Sequence, residues 1–287
     1  MPPLETADEH CGQRAVPGEH EQPTGPAVTF TATAARADDC VFFFDFDGTL
    51  APIQADPDAV QVAPDVLETI TELTTRVRRV SLVSARPVDF LRSRFPGVPL
   101  TLHGLYGLES QYVPGETVTY PPALPYAGIV AQLAEQARRE LPGAVLVEFK
   151  RLSVALHYRS APELRDTVHA WAQAQADRHG LRAQEGRMVI ELKPAVARDK
   201  GSVVAEEIED FSCAWYFGDD LGDLAAFRAL SERQSVDPDF LGVRVAVGNP
   251  ETGAEVAAAA DLHLPGPAAV PAFLRESFAV LPRFQAP

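Results

Sequence analysis

Cysteine is scarce in this chain. Three residues, Cys11, Cys40 and Cys213, in a sequence of 287 have neither the number nor the spacing of a disulfide framework or a zinc site, so a reducing compartment is expected. Basic residues are also in short supply: 25 Lys and Arg stand against 40 Asp and Glu, a formal charge of -15. Such a field repels a nucleic-acid backbone and an anionic membrane surface, and neither is expected as a partner. No apolar run approaches the roughly 18 residues that span a bilayer, and the N-terminus lacks a basic region followed by an apolar segment. A cytoplasmic location is the expectation. The same field repels a small phosphorylated molecule, so any phosphate site must build its own positive charge from a metal, Lys, Arg or helix N-termini.

What is present is ample apolar side chain, 46% of the composition, enough to fill real cores. Residues 1–38 carry Pro, Gly, Glu and Thr with little apolar periodicity and read as a flexible tail. Structure is expected from Val41-Phe42-Phe43-Phe44, a short β-forming run of the kind buried on both sheet faces. Val66, Leu67, Ile70, Leu73 and Val77 then recur at helical spacing behind Pro64, and strands near 80–83 and 99–102 bracket a short helix. This alternation predicts a parallel sheet, and it resumes after Lys200 with strands near 213–217 and 243–247. Between the two stretches lie two helix-strand-strand units, the pattern of an inserted α+β domain. The expected fold is a doubly wound parallel-sheet, Rossmann-like hydrolase core, residues 39–118 and 195–287, carrying an α+β cap at 119–194.

In such a sheet the site lies beyond the carboxyl ends of the strands. Asp45 and Asp47 follow the first strand, and residues two apart in an extended segment point the same way, so one carboxylate can attack phosphorus while the other moves protons. The alternative, two acids capping a turn, fits the full Asp-Phe-Asp-Gly-Thr-Leu run less well. Ser84 and Arg86 follow the second strand, where a hydroxyl and helix amides can bind phosphate; alone they read rather as an N-cap and a surface ion pair, and their place after the second strand favours the phosphate. Lys200 opens a helix and can set an ammonium on a transferring phosphoryl group. Asp219, Asp220 and Asp223 offer, with Asp45, an oxygen-rich site for Mg²⁺, or else an acidic helix N-terminus.

In this order the four motifs resemble the haloacid dehalogenase-like phosphatases. The runs from Leu102 to Glu109, Val147 to Lys150, Val154 to Arg159 and Val189 to Pro194 look like trehalose-6-phosphate phosphatase, with the likeness spanning about 41–264. The resemblance implies Asp45 as nucleophile, Asp47 as general acid/base with its carbonyl on the metal, and Ser84 and Lys200 on the phosphoryl group. It implies Mg²⁺ held with Asp219, supported by Asp220 and Asp223. Two departures stand out: Asp-Asp-Leu-Gly-Asp-Leu where the family commonly has Thr-Asp-Glu after the first pair, and Ser84-Ala85-Arg86 in place of Ser-Gly-Arg.

Alternation in the insert puts Val145, Val147 and Phe149, Val154, Leu156 and Tyr158, and Met188, Ile190 and Leu192 on faces packed under helices. Glu148, Lys150, His157, Arg159 and Glu191 are left on an open face, either a solvated sheet with cross-strand ion pairs or a surface that pairs sugar hydroxyls. The resemblance favours the second, with Glu148, Lys150 and Glu191 gripping a sugar. His103 and Gly104 face the cap as a further contact, or else form a buried turn. Linkers near 115–125 and 194–199 are expected to act as hinges. The expected substrate is trehalose 6-phosphate; the alternatives are another sugar phosphate or a silent binding subunit, and functional coupling to a trehalose-6-phosphate synthase is expected.

Overall fold

Five apolar residues in a row, Cys40–Phe44, form a strand in which every side chain is buried. A strand with no polar position needs cover on both faces, and alternation divides its rings between two cores. On one face Phe42 stacks on Trp215 at 5.3 Å and Phe44 on Phe217 at 4.6 Å, while on the other Phe43 lies 6.3 Å from Tyr216.

The structure, a computed structural model, describes residues 26–54, 59–112, 115–186, 188–249 and 252–284. In chain order the first core segment holds α1 (Pro26–Ala34), β1 (Cys40–Phe44), α2 (Pro64–Leu73), β2 (Arg79–Val83), α3 (Val88–Arg94), β3 (Thr101–Gly104), β4 (Glu109–Gln111) and β5 (Val118–Thr119). The insert follows with α4 (Ala127–Glu140), β6 (Leu146–Phe149), β7 (Val154–His157), α5 (Arg165–His179), β8 (Leu181–Gly186) and β9 (Val189–Pro194). The core resumes with α6 (Lys200–Glu207), β10 (Cys213–Gly218), α7 (Leu224–Val236), β11 (Leu241–Val247), α8 (Ala254–Ala258), β12 (Leu262–Leu264) and α9 (Val270–Ser277).

The large sheet runs β12-β11-β10-β1-β2-β3-β4-β5, parallel from β12 to β3 and antiparallel only at β4 and β5. Register pairs Phe44 with Phe217 and with Leu82, so β1, β2 and β10 end side by side. The loops after them, which carry the acids and Ser84, therefore converge. The insert is a four-stranded antiparallel sheet, β6-β7-β9-β8. Leu133, Val154, Leu156, Val168, Ile190 and Leu192 fill the space between one face of it and α4 and α5. A plug seats it on the core: Leu152, at the tip of the β6–β7 hairpin, packs with Leu105, Leu108 and Ala123, and Arg151 beside it reaches Glu109 at 3.3 Å.

Three expectations need correction. Residues 26–38 are not a tail: α1 packs on the core, with Phe30 stacked on Trp215 at 5.1 Å and the Trp215 indole N–H donating to Thr33 Oγ1 at 2.9 Å. One buried aromatic, worth about 1.5–3 kcal/mol, anchors a helix too short and Thr-rich to show a periodicity; residues 1–25, the rest of the expected tail, lie outside the described residues. Phe149 is 42% exposed rather than packed, the last residue of β6, which is an edge strand of the cap sheet. Arg159 is not on the open sheet face, since β7 ends at His157 and Arg159 falls in the following turn, exposed.

Candidate active site

Asp45 is the first residue past β1, its amide still donating to Phe217 O at 2.9 Å, and its side chain is buried. Beyond it the chain must turn back at once. Gly48 makes this possible: it has φ +86°, and a Cβ there would lie 2.2 Å from an Asp219 carboxylate oxygen. The turn closes through the amides of Leu50 and Ala51 on Phe46 O.

Lys200 is placed by its helix. Asp199 caps α6 by accepting from the Ser202 amide at 2.8 Å, and the wholly enclosed Lys200 ammonium lies 2.9 Å from Asp45 Oδ1 and 2.7 Å from Asp223 Oδ1. Burial alone opposes the ammonium's charge, but Asp223 and Asp45 outweigh it and hold Lys200 well above its ordinary range. Asp223 is the anchor of this end of the sheet. Its Oδ1 accepts from the Tyr216 hydroxyl and from Lys200, both at 2.7 Å, and its Oδ2 from the amides of Asp219 at 2.9 Å and Asp220 at 3.1 Å. Gly218 leaves room for it, since a Cβ there would meet the Asp223 carboxyl carbon at 2.3 Å. Burial works against ionised Asp223, yet these partners hold its pKa below the usual range.

Asp219 accepts from Thr49 Oγ1 at 2.8 Å and from the Asn249 amide at 2.7 Å. Burial first, then the Asp223 charge, pushes it up to about 7, and burial also raises Asp45 well above its ordinary value despite Lys200. Asp45, Asp219 and Asp223 each bring a carboxylate oxygen within 4.8 Å of the others. Buried, oxygen-only and with Lys200 as the ammonium among them, this set carries more negative charge than its surroundings neutralise. That excess and donor type fit a hard divalent cation such as Mg²⁺. Asp45 and Asp219 have the freer oxygens; those of Asp223 are already engaged. Asp220 is exposed, accepts from the Gly222 amide at 2.9 Å, and stands 3.9 Å from Lys200.

Asp47 projects elsewhere. Both its oxygens are gripped by Arg86, Nε to Oδ2 at 2.7 Å and an Nη to Oδ1 at 2.8 Å, while the guanidinium lies 4.6 Å from the Phe90 ring centre. Ser84 is buried past β2, and its hydroxyl accepts from the Arg86 amide at 3.2 Å; the N-cap of α3 is Pro87, so Ser84 is not that helix's cap.

Over these groups hangs the open face of the cap. Register aligns Glu148, Ala155 and Glu191 across β6, β7 and β9. His157 Nε2 lies 2.9 Å from Glu148 Oε2, Lys150 lies 3.6 Å from Glu148 and 3.7 Å from Glu191, and Ser153 donates to Glu191 at 2.5 Å. Burial raises Glu148, but His157 and Lys150 outweigh it, and Arg86 of the core adds to the same lowering. The cap network and the Asp47–Arg86 pair are thus electrostatic neighbours.

Two expected sugar contacts are elsewhere. His103 is completely enclosed, with Nδ1 3.0 Å from Ser110 Oγ, Glu207 at 3.8 Å, and Tyr112 edge-on at 5.8 Å; burial lowers its pKa to about 3. It points to the α6 side of the sheet because the pleat sends it opposite to Leu102. Gly104 is buried against the backbone of Arg86 and Val88, where a Cβ would meet atoms at 2.7 and 2.6 Å, so it shapes the Ser84–Arg86 loop. Conversely, sequence reasoning passed over Thr49, Asn249, Tyr216 and Ser153. Asn249 had a signal, since it follows an expected strand at its carboxyl end; Tyr216 and Ser153 are legible only once register is known.

A family model described as trehalose-phosphatase matches residues 43–261. The chain belongs to the trehalose-phosphatase family. Among curated proteins, a trehalose-phosphate phosphatase of Mycobacterium tuberculosis is 34% identical over 243 residues, 80% of this chain and 59% of that protein. One from Mycolicibacterium paratuberculosis is 36% identical over 199 residues, 66% of this chain and 50% of that protein. The chain thus spans between half and three-fifths of the length of these relatives. Among solved structures, the C-terminal domain of a Candida albicans trehalose-6-phosphate phosphatase aligns with TM-score 0.71 at 21% identity, covering 91% of this chain and 99% of that one. A haloacid dehalogenase-like hydrolase from Bacteroides thetaiotaomicron aligns at 0.55 and 17% identity, covering 82% and 98%. These two likenesses show the fold alone. Among the described residues, no helix is long and apolar enough to cross a membrane.

Proposed function

We propose that the protein hydrolyses trehalose 6-phosphate to trehalose and inorganic phosphate, with Mg²⁺, through a phosphorylated Asp45. The observation that carries this reading is a buried carboxylate beside Lys200 in a cation-ready acidic cluster, roofed by a mixed-sign network of Glu148, Lys150, His157 and Glu191. The family membership and the trehalose-phosphate phosphatases among the relatives support the same substrate.

Asp45, Asp219 and the Asp47 carbonyl would hold the cation, which supplies charge neutralisation for the phosphoryl oxygens. A carboxylate oxygen of Asp45 attacks phosphorus, and the phosphorus–sugar oxygen bond breaks. The Arg86 fork engages both Asp47 oxygens; swung out of that fork and carrying a proton taken from water, Asp47 gives the proton to the departing sugar oxygen. Water then attacks the phosphorus of the acyl phosphate, Asp47 takes its proton, and the bond from phosphorus to the Asp45 oxygen breaks to release Asp45 and inorganic phosphate. Lys200 and the Ser84 hydroxyl hold phosphoryl oxygens through both steps. Sugar hydroxyls donate and accept, so carboxylates beside an ammonium and an imidazole suit them once water is excluded.

Phosphate release measured over trehalose 6-phosphate, sucrose phosphate, glucosylglycerol phosphate and hexose phosphates tests the substrate. The reading expects the highest kcat/KM on trehalose 6-phosphate; a clear preference for any other member rejects it.

A further inference from the structure

Four non-glycine residues among those described have positive φ, and two of them are consecutive: Leu105 at 51° and Tyr106 at 59°, followed by Gly107 at 87°. Each left-handed non-glycine residue costs on the order of 1–2 kcal/mol, so two in a row persist only where the surroundings dictate them. Here they do. The Leu105 amide donates to Arg86 O at 3.0 Å and the Tyr106 amide to Ser84 O at 2.9 Å, while Arg198 Nε donates to Gly107 O at 3.1 Å. The turn is therefore tied to the loop bearing Ser84 and Arg86 and to the segment leading into Lys200.

The side chain held by this turn points at the cap. Lys193 of β9 places its ammonium 4.3 Å from the centre of the Tyr106 ring, two residues from Glu191 on the same face of the strand. The ring is mostly buried, yet among the described residues its hydroxyl has no hydrogen-bond partner. Burial above all, then Glu191 of the cap and Asp220 and Asp45 of the core, push the phenol well above its ordinary range against the opposing charge of Lys200, so it stays a donor.

We propose that Tyr106 is a substrate-positioning residue, whose hydroxyl donates to a hydroxyl of the sugar ring bearing the phosphate ester, between Glu191 above and Asp45 below. It couples the two halves of the site: the backbone turn registers it to the phosphate loop, and the Lys193 contact registers it to the cap. This rests on the sugar-phosphatase reading but not on which sugar phosphate is preferred.

The test is Tyr106→Phe, which keeps the ring, the Lys193 contact and the turn and removes only the hydroxyl. kcat/KM is measured for wild type and variant on the wild type's best sugar phosphate and on p-nitrophenyl phosphate, which has no sugar hydroxyl. Loss of one hydrogen bond to the substrate, about 1.4 kcal/mol, predicts that the ratio of the two kcat/KM values falls about tenfold, carried by KM. A fall of about fivefold or more supports the assignment, and a smaller change overturns it, since a merely structural role lowers both substrates together. A best sugar other than trehalose 6-phosphate refutes the substrate reading while leaving this comparison intact. Wild type that turns over only the aryl ester overturns both.

Discussion

Replacing Asp223 by Asn should cost the protein a large part of its stability. The carboxylate accepts four hydrogen bonds, from the Tyr216 hydroxyl, the Lys200 ammonium and two backbone amides, with no exposure to solvent. An Asn side chain keeps one acceptor oxygen. Its NH₂ must then face either the two peptide N–H groups or the ammonium and the phenol, and of these only the phenol oxygen can accept from it. At least two hydrogen bonds to a charged group are lost, each worth about 1.5–3 kcal/mol, and Lys200 is left with Asp45 at 2.9 Å and the more distant Asp220 at 3.9 Å. Allowing for relaxation, the expected loss is about 3–5 kcal/mol, against a usual total of about 5–15 kcal/mol. Urea denaturation in the presence of a chelator, which removes any metal contribution, measures it. The sign with pH is also set: the Asp223 pKa lies below its unfolded value, so wild type's advantage is full above about pH 5 and fades as acid protonates the folded carboxylate. A difference under about 1 kcal/mol at neutral pH would refute the view of Asp223 as the anchor of this loop.

Other outcomes follow from the same geometry. Mg²⁺ affinity, measured by calorimetry, should rise with pH and level off above 7, because Asp219 is pushed up to about 7 and must lose its proton to bind a cation; a pH-independent affinity from 5.5 to 8 would contradict it. Gly48→Ala should abolish cation binding while leaving the fold's circular dichroism in place, since the added Cβ falls 2.2 Å from Asp219 Oδ2 at a φ of +86°. Glu148→Gln should raise KM for the sugar phosphate by roughly tenfold, the cost of about one charge-assisted hydrogen bond, with a much smaller change on p-nitrophenyl phosphate; equal effects on both would remove Glu148 from sugar binding.

Much of the fold and site is legible in the sequence, and the reason is local. The Val41–Phe44 run, the Asp-x-Asp-Gly-Thr turn and the acids after the strand ending at Gly218 each declare an element and its end within a few residues. What failed depended on neighbours distant in the chain. His103 shares a strand end with the site, but the pleat turns it to the α6 face and into Glu207. Helix α1 is held by Trp215, nearly two hundred residues away, and no periodicity announces it. The grip of Arg86 on Asp47 and the bending of Leu105–Gly107 beneath the cap likewise arise from packing between loops. Alternation placed Glu148, Lys150, His157 and Glu191 on one face because strands repeat every two residues, and missed Arg159 because the strand stops two residues short.

The most direct test of the central claim is the stereochemical course at phosphorus, read from trehalose 6-thiophosphate made chiral with one heavy oxygen isotope and hydrolysed, with Mg²⁺ present, in water of another. Attack by Asp45 followed by attack of water is two in-line displacements and predicts retention of configuration in the thiophosphate released. Inversion would mean a single displacement by water and would contradict the account.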